Sequence, residues 1–233
     1  MLTASAKSFR GASSSARIIS LEVDPDSSNS DNSRIIGGGE STKGRYSYAV
    51  SLQDDMGAFC GGSIIAPDVV LTAAYCQVGN YHVVIGRHDL DESKGDTIKV
   101  DREIPHPQYD SDSTNNDFML HFLDRPTSAN VEIVNVNSDP LVPEVGSSVT
   151  VMGLGDTTSS DDTTLYSNVL VHVEVNVISN TDCEASEEMI NGFKESYLGS
   201  ITDQMLCAKG FNQDSCQGDS GGPLVIRGNE ADG

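Results

Sequence analysis

Tryptophan is missing from this chain, aromatics of any kind make up 6% of it, and cations are scarce, with 14 Lys and Arg against 35 Asp and Glu. Each shortage excludes something. A formal net charge of −21 repels phosphate backbones and anionic bilayers, so neither nucleic acid nor membrane is expected as a partner. No apolar run approaches the roughly 20 residues that a membrane-spanning helix needs. The five cysteines form no CxxC pair, and the five histidines are not spaced to complete a zinc site, so no metal and no cofactor are expected. DLDESKGD at 89–96 clusters acids but lacks the ligand spacing of a dedicated calcium loop. The opening stretch MLTASAKSFRGASSSAR has no apolar core of the kind a secretory signal carries.

What is present is enough for a packed interior: 37% of the 233 residues are hydrophobic. That length suits one domain with two sub-cores, or two small domains. Cys60, Cys76, Cys183, Cys207 and Cys216 are most simply two disulfides and one orphan, which points to secretion or another oxidising compartment. Residues 1–34 hold four acids and four bases, so the whole charge imbalance lies in 35–233. Within them EVDPDSSNSDNSR (22–34) is polar and patternless, and 1–34 is read as a leader or pro-segment without fixed structure.

From Ile35 onward short β-like runs alternate with Gly, Pro, Asp and Ser. VHVEVNVIS (171–179) is the clearest, with Val171, Val173, Val175 and Val177 on one face. YHVVIGR, TIKVDREI, SSVTVMG and PLVIRG read likewise. ISNTDCEASEEMI (178–190) reads as a short helix capped by Asn180 or Thr181. Many short strands with regular turn signals indicate an all-β barrel or sandwich, and a polar gap near 124–140 would divide two barrels.

Two stretches carry chemistry. DSCQGDSGGPL (214–224) surrounds a serine with glycines, which let a backbone turn sharply and approach a ligand closely. Such a loop can aim the amides of Gly218 and Ser220 at one point, the geometry of an oxyanion hole. RIIGGGE (34–40), FCGGSIIAPDVVLTAAYC (59–76) and NNDFMLHFL (115–123) complete the set. Together these segments resemble the trypsin/chymotrypsin family of serine endopeptidases, from Ile35 to the carboxyl end.

The resemblance implies two six-stranded antiparallel β-barrels over 35–233, the first at about 35–125 and the second at about 140–233. It implies Ser220 as nucleophile, Asp117 as orienting carboxylate, and Asp214 at the base of a pocket selecting Arg or Lys. An activating trypsin-like protease would cut between Arg34 and Ile35, and Asp219 would receive the new amino terminus. Disulfides Cys60–Cys76 and Cys183–Cys207 follow the same pattern. Family members continue beyond PLVIRG and supply a partner for Cys216, so the resemblance implies an incomplete second barrel.

Two positions depart from the family: GLG (153–155) has leucine where an aromatic is usual, and the second touches the chemistry. Tyr75 stands where the base, a histidine, is expected. A phenol has a reference pKa near 10, so about one in a thousand is ionised at pH 7. It also has a single polar atom, and cannot accept from Ser220 while donating to Asp117. Of the other histidines, His82, His88, His106 and His172 read as surface or structural residues. His121 falls beside Asp117 with an uncertain facing. Three readings follow: an endopeptidase homologue impaired or inactive in catalysis, a non-catalytic protein-binding or inhibitor scaffold, or an incomplete gene product. The expected partner is a polypeptide substrate or protein.

Overall fold

The computed structural model describes residues 2–4, 16–21, 38–154, 168–190, 193–211 and 219–226. In chain order the first strands are β1 (Leu2–Ala4), β2 (Ala16–Leu21) and β3 (Gly39–Glu40). Six more follow: β4 (Ala49–Asp54), β5 (Gly57–Ala66), β6 (Val69–Thr72), β7 (His82–Ile85), β8 (Asp96–Pro105) and β9 (Met119–Leu123). They close into an antiparallel barrel in the order β4-β5-β6-β9-β8-β7. Closure follows from the period-two pattern: Val50, Leu52, Ile64, Val70, Val83, Ile85 and Ile98 all point inward and are almost fully buried. Each such side chain adds about 1.5 kcal/mol or more by leaving water.

The second half is a sheet built on β10 (Ser148–Gly153), β11 (Val171–Ile178), β14 (Leu206–Phe211) and β15 (Gly222–Ile226). Val171, Val173, Val175 and Val177 lie on its buried face, packed on Val149, Val151, Ala208 and Leu224. Among the described residues this sheet does not close. Its path is β1-β15-β10-β11-β14-β2, with β3 also on β11. Between the two halves, residues 124–147 contain no strand.

Asp96 anchors the start of that connection. Its carboxylate accepts from Arg125 Nη2 at 3.1 Å, Thr127 Oγ1 at 2.7 Å and Ala129 N at 3.0 Å, and from Ser128. Burial opposes the charged form, but the hydrogen bonds from Thr127, Arg125 and Ser128 outweigh it and hold the group below the usual carboxylate range. One member of the acidic 89–96 stretch thus organises a loop 30 residues downstream.

One expectation is corrected. Helix α1 covers Asn180–Glu184 alone, and its cap is Ser179, whose side chain accepts from Asp182 N at 3.0 Å. Ser186 Oγ donates to Asp182 O at 2.8 Å and meets a carbonyl at the helix end. Beyond it β12 (Glu187–Ile190) pairs with β13 (Phe193–Ser196), so strand pairing overrides the helix-forming acids. Of the leader, expected to lack regular structure, only residues 2–4 and 16–21 are among those described. Leu2–Ala4 pairs antiparallel with β15 and Ala16–Leu21 pairs parallel with β14. An open sheet presents rows of unpaired backbone donors and acceptors, and these segments cover them.

Candidate functional site

The site forms where β15 meets the barrel. Gly61 N, on β5, donates to Ser220 O at 2.8 Å, while Thr72 Oγ1 donates to Gly61 O at 2.8 Å. Gly222 N closes a turn onto Asp219 O at 2.9 Å. Gly221 makes that turn with φ +80°, in the left-handed region that glycine enters freely. The Asp219 carboxylate lies on Gly153, so close that a Cβ there would sit 2.0 Å from its Oδ1. Asp219 and Ser220 are both buried.

Tyr75 and Asp117 approach from the barrel side. After β6 the chain makes a 3-10 turn, Ala74–Cys76, held by the disulfide Cys60–Cys76. The turn aims Tyr75 N at Asp117, and it donates to Oδ1 at 3.0 Å. Cys76 Sγ lies 3.6 Å from Ser220 O, which sets this turn directly beside the serine. Asp117 is buried, and the loop that carries it is wound tightly. Thr114 and Asn116 have φ of 55° and 56°. Asn tolerates that conformation, whereas a β-branched Thr stores strain of about 1–3 kcal/mol. Asn116 Nδ2 donates to Gln108 O at 2.9 Å, and Thr202 Oγ1 donates to Asn115 Oδ1 at 2.6 Å, tying this loop to the second half. The field of Asp117 also reaches Tyr109, whose phenol is pushed up to about 12 by burial first and by Asp117 next.

Tyr75, Asp117, Asp219 and Ser220 are therefore gathered at one seam. Arg34, Ile35, Asp214, Cys216 and Gly218 lie outside the described residues. Cys183–Cys207 joins α1 to β14. Two disulfides agree with an oxidising compartment. Sequence reasoning missed Gly61, Thr72 and Gly153 as builders of the site. The signal for the first was the glycine pair beside Cys60, which permits backbone to pack on backbone.

The histidines go to separate places. His88 Nε2 meets Glu40 Oε1 at 2.9 Å, His106 Nδ1 accepts from Gln108 N at 3.2 Å, and the ring of His172 is 5.5 Å from that of Tyr46. His82 lies in β7 opposite Gln53 and Lys99. His121 turns inward in β9, with 0% exposure. Tyr81 O–H donates to Glu103 Oε1, so its oxygen is left to accept from His121 Nε2–H at 3.0 Å. That tautomer leaves Nδ1 bare, matching its lack of a hydrogen-bond partner among the described residues. Burial, opposed by Glu103, pushes the His121 imidazole down to about 4. Between pH 6.5 and about 4 the unfolded chain takes up a proton that the folded chain refuses. Stability is therefore full above 6.5 and falls as pH drops through that window, by up to about 3 kcal/mol. Urea midpoints at pH 7 and pH 4.5 should show this loss in the native chain, and a smaller one in His121→Leu. An equal loss in both would remove His121 as its source.

With this geometry established, comparison with known proteins places the chain. A family model described as Trypsin matches residues 35–233. Among similar proteins, Cationic trypsin-3 of Rattus norvegicus is 36% identical over 203 residues, covering 85% of this chain and 76% of its own. Trypsin-3 of Salmo salar is 35% identical, over 84% of this chain and 78% of its own. Trypsin of Sus scrofa is 34% identical, over 85% and 82%. The closed first barrel, the second sheet and the paired cysteines agree with these matches, and the chain belongs to the trypsin family of serine proteases.

Proposed function

We propose that this chain binds polypeptide at the seam between its two halves and cleaves it poorly or not at all, because Tyr75 stands where hydrolysis needs a base. The observation that carries this reading is the hydrogen bond from Tyr75 N to Asp117 Oδ1. It fixes residue 75 against the carboxylate that would orient a base, so the side chain in that role is a phenol. Attack by Ser220 on a peptide carbonyl requires its hydroxyl proton to move to a neighbour as the new C–O bond forms. A neutral phenol has a single polar atom, its oxygen, and cannot bond Asp117 while it receives that proton.

The other parts keep the roles the family resemblance gives them. In that reading the amides of Gly218 and Ser220 serve as donors to a substrate oxygen, and Asp214 selects Arg or Lys. Cleavage after Arg34 by a trypsin-like protease frees the amino terminus of Ile35 for Asp219. Asp219 is suited to that role, since Gly153 leaves its carboxylate a place that any Cβ would take. Binding without turnover is compatible with these features, and so is a role as an inhibitor scaffold.

The test is hydrolysis of an Arg-amide substrate by protein cut at Arg34–Ile35, beside Ser220→Ala treated identically. Equal residual rates are expected. Turnover by the native chain at the rate of an ordinary trypsin, abolished in Ser220→Ala, would overturn the reading.

A further inference from the structure

Segment 39–43 begins four residues after Ile35 and is gripped from two sides. β3 pairs with β11 through Gly39↔His172 and Glu40↔Val171. One residue on, Ser41 N and Ser41 Oγ both donate to Leu170 O at 2.9 Å. Leu170 N donates in turn to His88 O, and Leu90 N to Asn168 O, each at 2.7 Å, around the bridge Asp89↔Val169. Loop 88–92 of the barrel thus closes onto the stretch that holds 39–41. Side chains complete the grip. His88 Nε2 meets Glu40 Oε1 at 2.9 Å, Asn168 Nδ2 donates to Asp91 Oδ2 at 2.8 Å, and Lys43 Nζ pairs with Glu92. A carboxylate only accepts, so His88 Nε2 carries a proton. The ring's Nδ1 is buried and has no hydrogen-bond partner among the described residues, which agrees with that tautomer.

Register links this grip to the site. Val171 is paired with Glu40 on one side and with Gly153 on the other. Paired strands lie about 4.8 Å apart, so Glu40 is roughly 10 Å from Gly153 across the sheet. Gly153 is the residue on which the Asp219 carboxylate lies. Five residues, 35–39, lead back from Glu40 and span at most about 17 Å. That tether can return to Asp219 and has little length to spare.

We propose that Glu40, Ser41 and His88 are positioning residues that anchor the tether bringing the amino terminus of Ile35 to Asp219. The inference rests on the reading above, in which cleavage after Arg34 frees that terminus. Its physical basis is effective concentration. With 39–43 released, the next anchor is Tyr46, which is buried and whose carbonyl accepts from Ala49 N at 2.9 Å. The tether then grows from five residues to eleven, 35–45. Local concentration falls as the −3/2 power of tether length, here roughly threefold. Lys43 is 66% exposed in its pair with Glu92, which adds little to the anchor.

The test treats protein cut at Arg34–Ile35 with cyanate and follows carbamylation of the Ile35 amine by peptide mass spectrometry. Exposed Lys99 serves as internal reference. In the native chain the Ile35 amine should react at least about tenfold more slowly than in a free peptide of residues 35–41. In Glu40→Ala, Ser41→Ala it should react at least about threefold faster than in the native chain. Glu40→Gln keeps an acceptor for His88 Nε2–H and should match the native rate. Urea midpoints give a readout that a merely structural role would not move. Cutting should raise the midpoint of the native chain, and raise that of the double variant less. If the double variant does not fold, Glu40→Ala alone, at a side chain 63% exposed, is read the same way. A native amine as reactive as the peptide's would overturn the Asp219 reading and this one with it. A protected amine that the alanine variants leave equally protected would overturn the anchor alone.

Discussion

Replacing Tyr75 with histidine should raise hydrolysis of an Arg-amide substrate by about a thousandfold or more over the native chain, once both are cut after Arg34. The backbone at this position is already placed: residue 75 is tethered through its amide to Asp117 Oδ1 at 3.0 Å, and Cys60–Cys76 fixes the next residue. Ser220 is held from the other side by Gly61, so the substitution has no loop to rebuild. An imidazole brings two nitrogens, one to bond Asp117 and one to receive the Ser220 proton, with a reference pKa near 6.5. In serine peptidases loss of the nucleophile or base costs on the order of 10⁶ in turnover, a known figure and not one obtained from this chain. Partial recovery of that span is therefore a large signal. The pH profile gives a second readout: activity in Tyr75→His should rise with pH as the imidazole loses its proton. The double variant Tyr75→His, Ser220→Ala should return to the native rate. A folded Tyr75→His chain with no gain would mean that the missing base is not what limits hydrolysis.

How much of this was legible in the sequence depends on the range of the interaction involved. Val171, Val173, Val175 and Val177 announced their strand because a period of two survives without knowledge of any partner. Segment 178–190 was misread for the converse reason. Its acids favour helix locally, but Glu187–Ile190 has a strand partner at Phe193–Ser196 that local propensity does not contain. His121 was ambiguous because MLHFL is apolar on both faces, and only its place opposite Glu103 and Val70 turns it inward. Nothing in the spacing of the acids of 89–96 singled out Asp96, yet it is nine-tenths buried and holds residues 125–129. At the site, residue types were readable and their spacing along the chain was informative. The contacts that assemble them were not, since Gly153 on Asp219 and Leu2–Ala4 on β15 join positions far apart in sequence.

Gly221→Ala should cost more than about 3 kcal/mol of folding stability, against about 1 kcal/mol for Gly146→Ala. The two glycines share the same backbone handicap, with φ of +80° and +89°. Both substitutions therefore incur the strain of placing an L residue in the left-handed region, about 1–2 kcal/mol. Their surroundings differ. A Cβ at Gly146 meets nothing within 4 Å. At Gly221 it would sit 2.3 Å from Thr72 Oγ1, 2.8 Å from Ala73 N and 2.9 Å from Gly61 O. The last two are backbone atoms of the barrel and cannot swing aside as a side-chain end can. Relief requires the turn to retreat, which breaks Gly61 N–H to Ser220 O, a hydrogen bond between the two halves. Urea denaturation of the two variants, compared at one pH and one temperature, isolates the contact from the strain. A loss for Gly221→Ala well beyond that for Gly146→Ala shows that backbone packed on backbone holds Ser220 in place. Equal losses would show a seam that yields, and a serine positioned by other contacts.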